Sequence, residues 1–219
     1  MKIAYKLTDS GMRTCYEFQW ELGKWYETTG KGKLCSPGWL HFYSDPLVGL
    51  FMNPIYANIP NPRLFRAEVE GKFLDDNGLN CGYTKARLVE ELPVPQISPV
   101  QRVRFAILCA KKVYKGKEWN KWANNWLSGK DRTEKSAASA AYTAESVTYA
   151  AESAASTAKS AESAFYATKS TMVAFYVTKS TMIAFYAAKS AESAAKSASI
   201  ATKSKKIDLI GIARKAMKE

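Results

Sequence analysis

Histidine occurs once in this 219-residue chain, as His41. Any histidine-based acid–base or nucleophilic chemistry has to run through that residue. The four cysteines, Cys15, Cys35, Cys81 and Cys109, contain no C-x-x-C pair, which excludes a zinc ribbon and a dithiol redox motif and predicts buried free thiols. A gathering of Cys15, Cys35, Cys81 and His41 in space would make a metal site. Their spacing does not call for one, and neither a metal nor a cofactor is expected. No G-x-S-x-G, H-E-x-x-H, Walker or dinucleotide fingerprint is present. Long apolar runs are missing as well. The opening "MKIAYKLTDSGMRTCYEF" lacks the apolar stretch of a secretory signal, and Lys179 interrupts the best candidate span, residues 172–188, below the roughly 18 residues a membrane helix requires. The expectation is an intracellular, cytoplasmic protein with no membrane partner.

Positive charge and aromatic carbon are what the chain has in plenty. Lys and Arg number 32 against 20 Asp and Glu, a formal charge of +12, and such a field raises encounter with nucleic acids, anionic surfaces and acidic proteins alike. Hydrophobic residues make up 47% of the chain and aromatics 12%, enough for a packed core.

Residues 1–97 read as a β-rich α+β domain, because short apolar runs alternate with turn residues. "KIAYKLT", "TCYEFQW", "GKWYETT", "GWLHFYS", "RLFRAEVEGKFL" and "ARLVEELPV" have strand patterns, giving an antiparallel domain or a small open barrel. "SDPLVGLFMNP" predicts one helix, capped by Ser44 or Asp45 with Pro46 in its first turn. Residues 98–130 change to helical spacing and predict two connecting amphipathic helices. Ser98 caps the first, with Pro99 in its first turn and Val103, Ile107, Cys109, Ala110, Val113 and Tyr114 on its apolar face. The second carries Trp119, Trp122 and Trp126 three and four residues apart, a packing stripe, and stops at Gly129.

Residues 131–206 turn to Ala, Ser, Lys, Thr and Glu, and 207–219 close the chain as a short amphipathic helix. The long segment is a repeat whose units end in Lys-Ser or Glu-Ser. Its seven-residue units align Ala137, Ala144, Ala151 and Ala158 on one helical seam, and alanine is the strongest helix former, so a helical repeat tail is expected. The overall class is α+β: a small antiparallel β-rich domain, helices, then a long Ala-rich helical tail.

Ten-residue units behave differently. Ten residues at 100° each return about 80° short of the start, so Phe165, Phe175 and Phe185 walk around a helix axis. With Tyr166, Met172, Val173, Tyr176, Met182, Ile183 and Tyr186 they make a helix apolar nearly all round, which has to be buried nearly all round. A helix enclosed in a bundle or homo-oligomer satisfies this, as does a chain that bends at each "KST", or a β-solenoid. Thr171 and Thr181 recur at ten rather than near eleven residues, so no flat threonine face of the ice-binding kind forms. Lys159, Lys169, Lys179, Lys189, Lys196 and Lys203 rotate in the same way. They read as a solvated face, with phosphate contact as the alternative.

For His41, flanked by Leu40 and Phe42 in a strand pattern, the simpler reading is a hydrogen-bonded structural residue. The catalytic alternative pairs it with Asp45, Tyr43 or Glu68 to act on a nucleotide, with Arg13, Arg66 and Arg87 as anion contacts.

Gly38, Trp39, His41, Asp45, Pro46, Leu47, Asn53, Pro54, Glu68, Val69 and Glu70, followed by Trp126, Leu127, Gly129, Asp131 and Arg132, carry a resemblance to an uncharacterised family of bacteriophages and bacteria. It covers about the first 135 residues and the tail only in style. The resemblance implies a phage-associated origin and the host-cell cytoplasm, and brings no activity to carry over. The expected function is a non-enzymatic interaction and assembly protein, a recognition domain with a self-associating tail. A phage inhibitor of a bacterial defence system acting on a host protein, a basic nucleic-acid-binding factor, and a nucleotide-acting enzyme centred on His41 stand as alternatives.

Overall fold

Lys2–Thr8 alternate along a strand, with Ala4 and Lys6 on one face and Tyr5 and Leu7 on the other, and form β1. The computed structural model describes residues 1–34, 36–76, 78–113, 115–133, 135–137, 139 and 207–218. The chain divides into two compact units, Met1–Gln96 and Ile97–Glu219.

In the first unit β1 is followed by β2 (Arg13–Thr14), β3 (Phe18–Gln19), β4 (Tyr26–Glu27), β5 (Leu40–Phe42), helix α1 (Pro46–Tyr56), β6 (Arg63–Asp75) and β7 (Cys81–Leu92). All named pairings are antiparallel. β6 lies between β1 and β7, and β4 and β5 share the other edge of β7. Just past β5, Tyr43 returns to β1, where Tyr5 and Tyr43 exchange two backbone hydrogen bonds of 2.8 Å. The circuit β1–β6–β7–β5–β1 is thereby closed. Its lining is Ala4, Leu40, Phe42, Phe65, Ala67, Val69, Cys81, Tyr83, Ala86 and Leu88, with Trp20 buried among them. Ala4 stands opposite Ala67, and Ala86 opposite Val69, so small side chains leave room for the indole.

Three predicted strands are corrected, "GKWYETT" pairing only through Tyr26 and Glu27. "TCYEFQW" falls in a hairpin of two-residue strands around a single 3-10 turn, in which Glu17 takes positive φ and reverses the chain. The strand predicted from Ala86 begins five residues earlier, at Cys81. In the β6–β7 hairpin a register shift falls between Glu70 and Phe73. Gly71 sits there at φ 79°, where a Cβ would lie 2.2 Å from the Thr84 hydroxyl that accepts from Lys72 N. Helix α1 has its expected start: the Asp45 carboxylate accepts from Leu47 and Val48 N–H, and Pro46 opens the first turn. At its other end the Asn53 side chain both donates to and accepts from the Ile59 backbone.

The second unit contains α2 (Pro99–Val113), α3 (Lys117–Leu127) and α4 (Leu209–Met217). Ser98 and Gln101 form a reciprocal cap at α2: the Ser98 hydroxyl accepts from Gln101 N–H, and the Gln101 side chain accepts from Ser98 N–H. Val103 and every residue from Phe105 to Ala110 are buried, so α2 is enclosed on more than the one face its sequence suggested. Both α3 and α4 pack on α2, and Gln101 donates to the Met217 carbonyl at 3.2 Å. Ala137 is fully buried. The chain therefore enters the repeat from one helical unit and returns to it, and what reads as an appendage is bracketed at both ends. The expected helical repeat itself lies, beyond its first few residues, outside the described residues.

Charge divides between the two units. The first 96 residues hold 11 Lys and Arg and 11 Asp and Glu, so the whole formal charge of +12 belongs to residues 97–219.

Candidate functional site

His41 pairs with Gly82 across β5 and β7. Strand alternation sends Phe42 into the closed sheet and His41 to the opposite face. There its Nε2 hydrogen-bonds the Leu34 carbonyl. Burial holds the imidazole below its ordinary pKa; the Leu34 bond opposes that shift and the charge of Lys6 adds to it. The neighbouring motif residues grip the same loop. Trp39 Nε1 donates to the Gly32 carbonyl at 3.2 Å, Gly30 N–H donates to the Gly38 carbonyl at 2.9 Å, and a Cβ on Gly38 would lie 2.1 Å from the Lys31 carbonyl oxygen. The G-W-x-H pattern is thus a clamp on residues 30–34.

The partners considered for a catalytic His41 have their own contacts. Glu68 accepts from Arg87, Asp45 caps α1, and burial raises the Tyr43 hydroxyl far above the ordinary tyrosine range. The arginines considered as anion contacts are each held by carboxylates: Arg13 by Asp9 and Glu17, Arg66 by Glu90 and Arg87 by Glu68.

A residue the sequence reading passed over sits inside the sheet. Lys6 is 9% exposed, donates to the His41 carbonyl at 2.7 Å, and lies 5.3 Å and 5.2 Å from the Trp20 and Phe42 ring centroids. Burial lowers its pKa to about 8, against opposing contributions from Cys15 and Cys81. The ammonium is held by one carbonyl and two ring faces in place of a carboxylate. The alternation of "KIAYKLT", which sets Lys6 on the Ala4 face, was the available signal.

Cys81 is buried and its thiol donates to the Phe42 carbonyl at 3.4 Å; burial pushes its pKa up to about 12. Cys109 is buried and also shifted upward, whereas Cys15, expected to be buried, is exposed in the short turn between β2 and β3. Cys35 lies outside the described residues. Cys81 faces the interior and His41 the opposite side, which separates two members of the conceivable metal cluster. Among the described residues no group of three His, Cys, Asp or Glu is placed to hold a metal.

In the second unit Trp119, Trp122 and Trp126 are all buried, with the first two rings 5.7 Å apart, in keeping with a packing stripe. The W-L-x-G-x-D-R stretch ends α3. Arg132 lies 4.7 Å over the Trp126 ring and donates to the Trp126 carbonyl, while Asp131 accepts from Thr133 N–H and from the Thr133 and Ser136 hydroxyls. From Lys111 to Lys121 the chain carries five lysines and one carboxylate, Glu118. Lys111 donates to the Asn124 side chain, and Lys115 donates to the Lys111 carbonyl.

The Phe, Tyr, Met, Val and Ile residues expected to self-associate, and the six repeat lysines from Lys159 to Lys203, lie outside the described residues. Among the described residues no helix is long and apolar enough to cross a membrane.

Residues 2–99 match the family model of a domain of unknown function, DUF7666, which spans the first unit and stops at the first residue of α2. Neither the curated proteins nor the solved structures contain a match to the chain.

Proposed function

We propose that this is a non-enzymatic interaction and assembly protein, in which the first unit recognises a partner protein and the repeat between α3 and α4 mediates self-association. One observation carries the reading: α4, which follows the repeat, packs on α2, which precedes it. A segment held at both ends by one helical unit has less chain entropy to lose on association than a free tail of the same length. On a helix the Phe-Tyr pairs from Phe165 to Tyr186 would rotate about 80° per ten-residue unit, so one face of one helix would not bury them all. Neighbouring copies supply the missing surface.

Recognition by the first unit draws support from its surface. Ile3, Phe18, Leu22, Phe73 and Leu74 are large apolar side chains at least 37% exposed, and all belong to this unit. An enzyme centred on His41 has less support, because the imidazole is half-buried and engaged with Leu34.

The test is light scattering on the full chain and on a variant carrying Phe175→Asp and Phe185→Asp. A lower oligomer mass in the variant is the expected result. An unchanged mass would remove the assembly reading.

A further inference from the structure

We propose that Lys111, Lys115, Lys117, Lys121 and Lys215 form a docking surface for the phosphate backbone of a nucleic acid. Lys117 and Lys121 lie one helical turn apart on α3, and Asn124 continues their stripe; all three are exposed. The hydrogen bond from Lys111 to Asn124 fastens the end of α2 to that stripe, and Lys115 closes the last turn of α2 beside it. Lys215 lies on α4, which packs on α2, and burial together with the charges of Lys215 and Lys115 lowers the pKa of Lys111.

This surface has little to neutralise it. Residues 97–133 hold nine Lys and Arg against two Asp and Glu. Among the described residues none of the five lysines has a carboxylate within ion-pair distance, whereas Arg13, Arg63, Arg66, Lys85 and Arg87 of the first unit all do. Those five first-unit cations are each matched by a carboxylate; Lys115, Lys117, Lys121 and Lys215 are exposed.

The chemistry around the lysines selects among polyanions. Binding at a lipid surface calls for apolar side chains that enter the headgroup layer, and a protein interface calls for aromatic or aliphatic anchors. The tryptophans of α3 are all buried, and the exposed large apolar residues among the described ones belong to the first unit. What α3 exposes is Lys117, Lys121 and Asn124 with one carboxylate, Glu118, and lysine and asparagine contact phosphate without reading base edges. Binding is therefore sequence-independent and governed by counterion release, about 0.9 in the salt slope for each phosphate neutralised.

The experiment is fluorescence anisotropy of the full chain with a fluorescein-labelled, mixed-sequence DNA duplex of about 25 base pairs, from 50 to 200 mM NaCl. Five contacts predict a slope of about −4.5 and a loss of affinity of about 10² to 10³ over that range. Changing all five lysines to Gln is expected to remove most of the slope and at least about 100-fold of the affinity at 50 mM NaCl. A second variant keeps Lys111, and with it the bond to Asn124, and is expected to lose a slope of about 3.6. Circular dichroism confirms that both are folded. An unchanged slope in folded variants overturns the proposal, as does a slope removed instead by Gln at Lys159, Lys169, Lys179, Lys189, Lys196 and Lys203. Binding to phosphatidylserine vesicles with none to the duplex overturns it too.

Discussion

Tyr5 and Tyr43 exchange two backbone hydrogen bonds of 2.8 Å, and this pair is the seam that closes the sheet of the first unit. β5 is bonded to β7 through Leu40–Phe42 and passes directly to β1 through Tyr43. A seam of one residue pair holds only if the strands on either side are rigid. In amide hydrogen exchange followed by NMR, the N–H groups of Tyr5 and Tyr43 are expected among the slowest of residues 1–96, exchanging only with global opening. Exchange at loop rates would mean that the sheet is open at this edge.

Lys6 makes the core pH-dependent. Its pKa is about 8 in the folded chain against 10.5 for a free lysine, so between those values the unfolded state binds more protons and stability rises with pH. Below pH 8 the full cost of burying the charge is present. Replacing Lys6 by Met is expected to stabilise the protein at pH 7 by about 1–3 kcal/mol, the lost bond to the His41 carbonyl offsetting part of the gain. The difference between the two stability curves, from urea titrations at pH 7 and 10, should shrink toward pH 10. A Lys6→Met protein less stable at pH 7 would show that the carbonyl and ring contacts outweigh the burial of the charge.

The G-W-x-H clamp predicts two separable losses. Gly38→Ala sets a Cβ against the Lys31 backbone and is expected to destabilise the first unit by about 2–4 kcal/mol, read from thermal unfolding. His41→Ala removes one grip on the loop without such a clash. It is expected to leave the sheet folded and to speed trypsin cleavage after Lys31 or Lys33. Equal cleavage rates in wild type and variant would detach His41 from loop positioning.

Elements built from local signals were legible in the sequence, and long-range contacts were not. Strand β1 has the bounds that "KIAYKLT" predicts, Asp45 and Pro46 mark the start of α1, and the Trp119, Trp122 and Trp126 spacing declares a buried stripe. Closure at Tyr5 and Tyr43 joins residues 38 positions apart with ordinary strand chemistry, which leaves no local mark. The start of β7 was missed because Asn77, Gly78, Asn80 and Gly82 read as turn, whereas partners on both edges extend the strand to Cys81. His41 was visible as the single imidazole, but the loop carbonyl it binds was not, since Leu34 carries no sequence signature of that contact. The pairing of α2 with α4, separated by the whole repeat, belongs to the same class.

Self-association through a repeat held by one helical unit can be read from sedimentation equilibrium. The full chain is compared with a version in which residues 138–206 are replaced by a Gly/Ser linker of about 12 residues, roughly 20 Å in root-mean-square span. The full chain is expected to sediment at a multiple of 24.3 kDa and the shortened one as a folded monomer. A monomeric full chain, or an oligomer that survives removal of the repeat, would contradict it.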